Sequence, residues 1–562
     1  MSSPLRAARE PRVAFVALRM QSEDPGESCE AFTYAARKLD ASVRGDPRLG
    51  DVETAVFDVP SRSPQAFLEA LEGFRPTLVA MSAYIWSIDL LLEVARELRA
   101  RDPSVRIVLG GPAARPSVLA LAPYRDRARA LDAVATGEGE ELVRRLASEH
   151  LREDWLGRVP GLLVPHALGW RSTGSLERIV LDDYPSPYQL GVGPARATGF
   201  LETFRGCPLS CAFCQWGVER ADRVHGADYL ERHLRGLQQA DAPLVFVLDA
   251  AFNLSPRAFR ALVEAERRTD ALRGRCVMGH LYPSHVREEH LAFFEHIGHV
   301  QAAIGIQSLQ PEVLERMGRP FDVARFERML TELRGRIAIE TELILGLPGD
   351  GPDSFVRTFE RTLELSDATR VYRALALPDA LLERAEAFGI DVDPYTFRIR
   401  STEGWTPSDL ERTWEQIVRR TEGMPGRYVA DSSLGVRNPA SGRGSAARPL
   451  PLPRPLAARI AALLPAGSGW TLASARRLSD GVWLTVRAAE SEAPIDVEMR
   501  LAREGQRSFV VRDGVGFSYR GSLPTERLAH VGRIVEALAP QAESIVREAL
   551  ADPAWRADGV AA

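Results

Sequence analysis

Apolar strand-like runs alternate with amphipathic helical runs twice along this chain of 562 residues, and this alternation constrains the fold most strongly. In the first tract, Arg12–Leu18 is predicted to be a strand, and Ile88–Arg101 repeats apolar residues at helical spacing. In the second tract, Leu244–Leu248 is predicted to be a strand and Ser354–Leu365 a helix. Such alternation is typical of parallel sheets covered by helices, and ligands of these sheets bind at the carboxyl ends of the strands.

Segments without hydrophobic period divide the chain further. Turn residues without a period occupy Tyr184–Tyr188 and Gly191–Thr198, and Asn438–Pro455 is rich in Pro, Gly, Ser and Arg, as linkers are. We therefore predict a parallel α/β domain at 11–150, a connector at 151–198, a partial barrel of six βα units at 199–376, a mostly helical extension at 377–437, a linker at 438–455 and a small α+β domain at 456–562.

Composition excludes several classes of function. The net charge of -5 gives no electrostatic case for binding nucleic acid. No run reaches the ~18 to 20 apolar residues that span a bilayer, and Met1–Arg6 lacks the apolar core of a signal peptide. The only lysine, Lys38, fits neither a phosphate-binding P-loop nor the Schiff base of a pyridoxal-phosphate enzyme. We expect a cytoplasmic protein without nucleic-acid or membrane partners.

Three of the five cysteines lie close together directly after the predicted strand Phe200–Phe204. They are Cys207, Cys211 and Cys214, at the spacing Cys-x3-Cys-x2-Cys. A disulfide framework would need an even count in a small secreted chain, and structural zinc would need a fourth ligand nearer than His225. Three thiolates can instead hold three irons of a [4Fe–4S] cluster, which leaves the fourth iron open for chemistry.

This cysteine spacing resembles the radical S-adenosylmethionine (SAM) superfamily. The resemblance implies that the open iron chelates the amino and carboxylate groups of SAM, and that an electron from the cluster splits SAM into methionine and a 5′-deoxyadenosyl radical. An electron donor such as flavodoxin or ferredoxin is then implied as a partner. Phe213 stands where the family usually has an aromatic or apolar residue near the adenine, although packing beneath the cysteine loop explains it equally well.

Segments after later predicted strands also resemble parts of the family's SAM site. Residues of these segments also have purely structural explanations. Asp249 could be an ordinary loop aspartate, Asn253 a helix N-cap, and Gly346 part of a strand-to-turn transition. The positions that the resemblance assigns to SAM are Phe213, Asp249, Asn253, Gln307, Ser308, Glu342, Ile344 and Gly346.

Three glycine-rich or small-residue turns follow strands of the N-terminal tract, at Ser82–Ser87, Gly110–Pro112 and Gly137–Glu140. Such turns let the backbone approach a large ligand. In this order, upstream of the cysteine loop, they resemble the Rossmann-like cobalamin-binding domain of cobalamin-dependent radical SAM enzymes. The cobalamin-binding positions implied are Ser82, Tyr84, Trp86, Gly110, Gly111, Pro112, Gly137 and Glu138.

One departure from known cobalamin domains concerns the lower face of the cobalt. Domains of the methionine-synthase type supply a histidine from an Asp-x-His-x-x-Gly motif, whereas no histidine occurs here before His150. Cobalamin would therefore bind with neither its own base nor a histidine on the cobalt. Tyr84 or Trp86 could cover that face, and the alternative for Trp86 is an ordinary core or interdomain aromatic.

Acid–base candidates follow the third predicted barrel strand. His280 and Tyr282 are the predicted catalytic residues, and His285 lies close to them in sequence. The alternative is structural, because a single histidine near a strand end usually serves packing.

The resemblance implies a C-methyltransferase that moves a methyl group from SAM, through methylcobalamin, to a poorly activated carbon of a specialised-metabolite precursor, using two SAM molecules per turnover. The substrate would be a small molecule or a peptide. One alternative is a cyclase or oxidative rearrangement enzyme that transfers no methyl group. Another is a non-catalytic cobalamin-binding module with a vestigial barrel, which the intact cysteine triplet argues against.

Overall fold

The structure is a computed structural model. It describes one short N-terminal stretch, one long stretch and parts of the C-terminal region. The stretches are residues 10–19 and 32–437, with gaps at 168, 196, 219–222, 243, 320–321, 334–335 and 425–426; the C-terminal parts are 454–464, 470–477, 481–488, 496–502, 507–513, 516–518 and 544–545.

The N-terminal domain is built on a seven-stranded sheet in the order β2-β1-β3-β4-β5-β6-β7. The first five strands in this order are parallel, as predicted, and β6 and β7 extend the sheet antiparallel. The strands are β1 Arg12–Leu18, β2 Glu53–Val59, β3 Leu78–Ser82, β4 Arg106–Gly110, β5 Ala133–Ala135, β6 Leu162–His166 and β7 Gly169–Ser172. The β6–β7 hairpin lies within the predicted connector at 151–198 but belongs to the N-terminal sheet, so the predicted boundary at 150 is wrong. No local pattern reveals the pairing of β6 with β5.

Helices cover both faces of this sheet. Along β1, Val13 and Phe15 face one apolar layer while Ala14 and Val16 face the other, because successive side chains of a strand alternate. The helices are α1 Tyr34–Arg44, α2 Pro64–Glu72, α3 Ile88–Arg101, α4 Pro116–Leu119, α5 Ala122–Arg125, α6 Gly139–Glu149 and α7 Trp155–Arg158.

A second sheet of eight strands, in the order β18-β19-β15-β14-β13-β12-β11-β8, follows. The six strands from β8 to β15 in this sheet are parallel, which confirms the six predicted βα units. The sheet strands are β8 Gly199–Leu201, β11 Leu244–Val247, β12 Cys276–His280, β13 His299–Gln307, β14 Ala338–Leu345, β15 Ala368–Arg373, β18 Tyr428–Val429 and β19 Ser433–Arg437, and two short hairpins add β9 Phe204–Arg205 with β10 Arg223–Val224 and β16 Asp391–Val392 with β17 Ile399–Ser401.

Helices connect the strands of the second sheet. They are α8 Ala227–Gln239, α9 Pro256–Thr269, α10 Glu288–Ile297, α11 Pro311–Arg316, α12 Val323–Leu333, α13 Pro352–Leu365 and α14 Pro407–Arg420. The prediction that 377–437 is mostly helical is wrong. Among its described residues α14 is the one α-helix, and β19 instead pairs antiparallel with β15 and buries Leu434 and Val436 against the barrel.

The segment between β15 and α14 also packs on the N-terminal domain. Phe397 is fully buried in the apolar layer of that domain and stacks on Tyr124, with ring centroids 6.1 Å apart. The Tyr124 hydroxyl donates to the Pro394 carbonyl at 2.9 Å, and Arg115 Nε donates to Asp379 Oδ2 at 2.5 Å. The two domains are thus joined on the side of the β15–α14 segment.

The C-terminal region contains helix α15 and a five-stranded antiparallel sheet in sequence order, which fits the predicted α+β region. The elements are α15 Arg454–Leu463, β20 Trp470–Arg477, β21 Gly481–Ala488, β22 Asp496–Ala502, β23 Arg507–Asp513 and β24 Gly516–Ser518. After β24, the described residues of the predicted α+β domain are Ser544 and Ile545. Within the part of the chain described, no helix has the length and apolar character required to cross a bilayer.

Candidate functional site

The cysteine loop follows β8 and β9 at the carboxyl end of the first barrel strand. Cys207 and Cys211 are buried and Cys214 is half-buried, and all three thiols are free. The Ala212 N–H donates to the Met317 carbonyl at 2.8 Å, so the middle of the loop is held by the residue that follows α11. The loop therefore presents three sulfurs from a fixed backbone.

Burial dominates the electrostatics of these thiols. It raises the pKa of Cys207 and raises the pKa of Cys214 to about 11, and neighbouring cysteines add to both shifts. Arg319 opposes the shifts, with its Nη1 3.8 Å from the Cys211 Sγ. A pocket that disfavours free thiolates holds them once a metal supplies positive charge, and soft sulfur donors suit iron–sulfur clusters. The donor set therefore fits the predicted cluster.

Two of the residues assigned to SAM, Asp249 and Asn253, form hydrogen bonds within the protein. The buried Asp249 carboxylate accepts from the Thr203 N–H at 2.8 Å, from the Thr203 hydroxyl at 2.5 Å and from the Phe204 N–H at 3.3 Å. Asn253 binds the backbone of Tyr282 in both directions, at 2.8 and 2.9 Å. Both side chains support the loops around the cysteines.

The end of β13 presents an unsatisfied acceptor. Gln307 has a φ of 70°, and its Oε1 is buried without a hydrogen-bond partner among the described residues. The next residue, Ser308, is fully buried and donates to Asp350 Oδ2 at 3.1 Å. Since a buried polar atom is costly unless it is bonded, Gln307 fits a position that a polar ligand completes.

An apolar wall lies beside the cysteine loop. Phe213 and Ile344, both half-buried, pack against one cluster that includes Ala212, Met317 and Leu347. The predicted Gly346 follows β14 with a φ of 101°. The structure thus places Phe213 and Ile344, two of the positions assigned to SAM, against the same apolar cluster.

A charged pair bridges β12 and β14, the two barrel strands on either side of β13. His280 Nε2 is 3.3 Å from Glu342 Oε2, and the Tyr372 hydroxyl donates to Glu342 Oε1 at 3.4 Å. Burial opposes both charges, yet the pairing overcomes it, so the pKa of His280 is raised and that of Glu342 is lowered. The side chain of His280 is still 41% exposed, which leaves its imidazole accessible.

Tyr282 occupies a different place from His280, although the two are close in sequence. It is buried in the apolar cluster that contains Cys207, and the Arg319 guanidinium lies 5.3 Å from its ring centroid. His285 packs edge-on against the Tyr282 ring at 5.1 Å. Tyr282 thus belongs to the surroundings of the cysteine loop.

The predicted cobalamin-binding turns lie at the carboxyl edge of the N-terminal sheet. After Ser82, the rings of Tyr84 and Trp86 stack with centroids 4.7 Å apart, and Trp86 is 43% exposed. Gly111 has a φ of 96°, and a Cβ there would come within 2.5 Å of the Ala83 carbonyl oxygen, so glycine is required for the turn after Gly110.

Two of these turns reach the cysteine loop. Gln215 Nε2 donates to the Pro112 carbonyl at 3.3 Å, and Glu138 accepts from Arg205 at 2.8 Å. A Cβ added at Gly137, next to Glu138, would meet no atom of the described residues within 4 Å, so space is open at this turn. The cysteine loop and the edge of the N-terminal sheet therefore face one another.

Comparison with known proteins agrees with this arrangement. Residues 201–362 match the Radical SAM superfamily, and residues 41–147 match the B12 binding domain. The chain thus matches the cobalamin-dependent radical SAM family. The matched domains support a [4Fe–4S] cluster, SAM and cobalamin as the cofactors.

Two curated relatives each match about three fifths of the chain. The chain is 32% identical over 377 residues to the 2-(S-pantetheinyl)-carbapenam-3-carboxylate methyltransferase of Streptantibioticus cattleyicolor, covering 61% of this chain and 53% of the relative. It is 30% identical over 386 residues to the cobalamin-dependent radical SAM methyltransferase TokK of Streptomyces tokunonensis, covering 62% and 54%. The chain therefore spans about half the length of these relatives.

A solved structure shares the fold. The cobalamin-dependent SAM radical enzyme OxsB, solved with aqua-cobalamin and SAM, superposes with a TM-score of 0.57 at 16% identity, covering 74% of this chain and 68% of that chain. This likeness supports the combination of a Rossmann-like N-terminal domain with a radical SAM barrel.

Sequence reasoning missed the residues that join the two domains of this chain. Arg205 and Arg223 flank the cysteine loop, and Glu140 and Glu202 bind Arg205. The Arg-Gly preceding the first cysteine was visible, but its acidic partners lie on other elements. Arg319 and Tyr372 were missed for the same reason, because only the folded chain places them beside Cys211 and Glu342.

Proposed function

We propose that this protein is a cobalamin-dependent radical SAM methyltransferase that adds a methyl group to a poorly activated carbon of a small-molecule precursor. The observation that carries the proposal is the contact between the cysteine loop and the carboxyl edge of the N-terminal sheet, made by Gln215 with Pro112 and by Arg205 with Glu138. Two cofactor sites that meet across one gap suit a reaction that uses both cofactors on one substrate. The names of both curated relatives support methyl transfer.

Different residues of the chain would bind the cluster and cobalamin. Cys207, Cys211 and Cys214 would hold the cluster, and the edge residues Trp86 and Gly137 would border cobalamin. When bound, the cluster with SAM supplies a radical, and cobalamin supplies a transferable methyl group. The buried walls of the cysteine loop keep water away from such species, which limits side reactions.

His280 and Glu342 would orient the substrate within the barrel. The carboxylate of Glu342 holds a proton on His280 Nε2, and the exposed part of the imidazole can donate a hydrogen bond to a polar group of the substrate. Because pairing with Glu342 raises the pKa of His280 and so favours its charged form, the pair suits a substrate with an oxygen acceptor. Tyr282, fixed by Asn253 and Arg319, would shape the same end of the barrel.

The proposal extends to the domain boundaries, the cellular compartment, the electron donor and the type of metabolism. We infer that the domain boundaries at about 198, 437 and 455 separate functional units. We also infer that the protein works in a reducing cytoplasm, accepts electrons from a flavodoxin or ferredoxin, and serves specialised metabolism. Reduced conditions suit an exposed cluster iron.

The test follows the methyl group. The protein is reconstituted anaerobically with iron, sulfide and hydroxocobalamin, then incubated with dithionite, CD3-labelled SAM and an extract of the source cells. We expect a product with a new C–CD3 group, formed together with 5′-deoxyadenosine and S-adenosylhomocysteine and detected by mass spectrometry.

A matched variant keeps the experiment specific. Cys214→Ala, reconstituted in parallel, should form neither the labelled product nor 5′-deoxyadenosine. Consumption of an extract metabolite with 5′-deoxyadenosine but without any label would favour cyclisation or rearrangement and overturn methyl transfer. A wild-type chain that fails to load ~4 irons would instead indicate the non-catalytic module.

A further inference from the structure

Arg205 lies directly before the cysteine loop and joins three carboxylates from two domains. It makes five hydrogen bonds: two to Glu202 at 2.8 and 2.9 Å, two to Glu140 at 2.7 and 3.2 Å, and one to Glu138 at 2.8 Å. These bonds engage all the N–H donors of a guanidinium. Glu202 follows β8 in the barrel, whereas Glu138 and Glu140 lie at the start of α6 in the N-terminal domain.

The electrostatics of this cluster are strong because it is poorly accessible to water. Burial opposes ionisation, but Arg205 overcomes it, so the pKa of Glu140 is lowered and the pKa of Glu202 lies well below its usual range. Glu140 and Glu202 are therefore expected to remain charged at neutral pH. Removing one partner would leave a buried charge unpaired, which is strongly destabilising. The cluster is therefore expected to hold one arrangement of these side chains.

Glu138 has a second arginine partner that gives it a special position. Its Oε2 accepts from Arg223 Nη1 at 2.5 Å, while its Oε1 accepts from Arg205. Arg205 in β9 and Arg223 in β10 are directly opposite one another in an antiparallel pair. These two strands form the base from which the cysteine loop projects. One carboxylate of the N-terminal domain therefore binds the first and the last strand of the loop.

A second contact fixes the same loop farther out, where Gln215 donates to Pro112 in the neighbouring turn. Glu140 and Glu202 both bind Arg205, so they secure the entry of the loop into the barrel. Glu138 differs in that it bridges Arg205 and Arg223. It lies next to Gly137, at the edge where the proposed function locates cobalamin.

We propose that Glu138 is a positioning residue that sets the distance between the cluster and cobalamin. It acts through Arg205 and Arg223 and touches neither reacting group. The inference rests on the proposed function, because it needs cobalamin at the edge of the N-terminal sheet. It goes beyond that function by assigning the spacing of the two cofactors to one carboxylate. A shift of about 1 Å in such an arrangement can cost up to about 100-fold in rate.

The test measures the distance without a substrate. Wild type and Glu138→Gln are loaded with iron, sulfide and cobalamin, and the electron-spin relaxation of cob(II)alamin is compared with the cluster oxidised and reduced. A reduced cluster accelerates this relaxation steeply with decreasing distance. We expect Glu138→Gln to bind both cofactors and to show a smaller acceleration than wild type.

A chemical readout accompanies the spectroscopic one. With SAM and dithionite alone, the variant should form less S-adenosylhomocysteine in its first turnover, by up to about 100-fold, and its ratio of 5′-deoxyadenosine to S-adenosylhomocysteine should rise. The control is Glu141→Gln on the same helix, which removes the same charge from a carboxylate that binds Arg145 and Tyr184. This control should match wild type in both readouts.

The outcomes separate the inference from the proposed function. Unchanged spin relaxation together with an unchanged ratio in Glu138→Gln would overturn the positioning role. A wild type that binds no cobalamin would overturn the proposed function first, and a wild type that gives the distance effect without any methylated product would overturn only methyl transfer. If Glu138→Gln fails to load its cofactors, Glu138→Asp, which keeps the charge but shortens the side chain, is measured against the same two outcomes.

Discussion

Asp249 supports the start of the cysteine loop at an energetic cost that depends on pH. Its buried carboxylate accepts three hydrogen bonds from Thr203 and Phe204, which hold the turn between β8 and β9. Burial nevertheless dominates and raises the pKa of Asp249 to about 7. We predict that Asp249→Asn stabilises the protein relative to wild type, and more so at pH 8 than at pH 6.

The magnitude follows from linkage between proton binding and folding. An unfolded aspartate has a pKa of about 3.9, so the folded state binds the proton more tightly than the unfolded state. The resulting stabilisation is complete below pH 4 and is lost as the pH rises through the folded pKa of about 7. Relative to the protonated state, ionisation costs about 3 kcal/mol at pH 6 and about 4 kcal/mol at pH 8. The amide does not titrate, so the advantage of Asp249→Asn should grow by about 1 kcal/mol over this interval.

The assay is urea unfolding of the cofactor-free chain, under anaerobic reducing conditions at pH 6 and pH 8, followed by tryptophan fluorescence. Glu312→Gln, at an exposed position of α11, removes the same charge and serves as the control. A difference between Asp249→Asn and wild type that stays constant across the two pH values would refute the reasoning. It would mean that the three hydrogen bonds outweigh burial.

Three further predictions concern the cofactors and the charged pair. Cys207→Ala should lower bound iron well below ~4 per chain and abolish the electron paramagnetic resonance signal of the reduced cluster; a normal iron content would contradict the assignment. Glu342→Gln should lower the pKa of His280, because its main favourable partner becomes neutral, so the alkaline limit of activity should move to lower pH; an unchanged pH–rate profile would contradict the role of the pair. Trp86→Ala should weaken cobalamin retention by about tenfold and alter its visible spectrum, whereas unchanged retention would indicate an ordinary surface tryptophan.

Local patterns predicted much of the fold. The helix Ile88–Arg101 has the predicted bounds, because its apolar residues repeat on one face, and the strand predicted at Leu244–Leu248 occurs as β11, Leu244–Val247. The cysteine loop was predictable because its three ligands are adjacent in sequence. β19 was not, since its partner is β15, about 60 residues away, and a short strand takes its structure from that partner.

The roles of individual site residues depended on contacts that sequence does not show. Asp249 and Asn253 follow the right strand, but the structure engages their polar groups with Thr203 and Tyr282. Tyr282 is two residues from His280, yet it lies beside Cys207 while His280 pairs with Glu342. The spacing of residues in the sequence therefore predicted where the site lies, but not which residues each of its side chains contacts.

The insertion of Phe397 into the N-terminal core makes the two halves of this molecule poor candidates for separate expression. A fragment ending before the β15–α14 segment would leave a stacking site beside Tyr124 open to solvent and would lose the bond from Arg115 to Asp379. A chimera that exchanges the N-terminal domain must therefore also exchange the segment around Phe397. The unit of recombination in this protein is discontinuous in sequence.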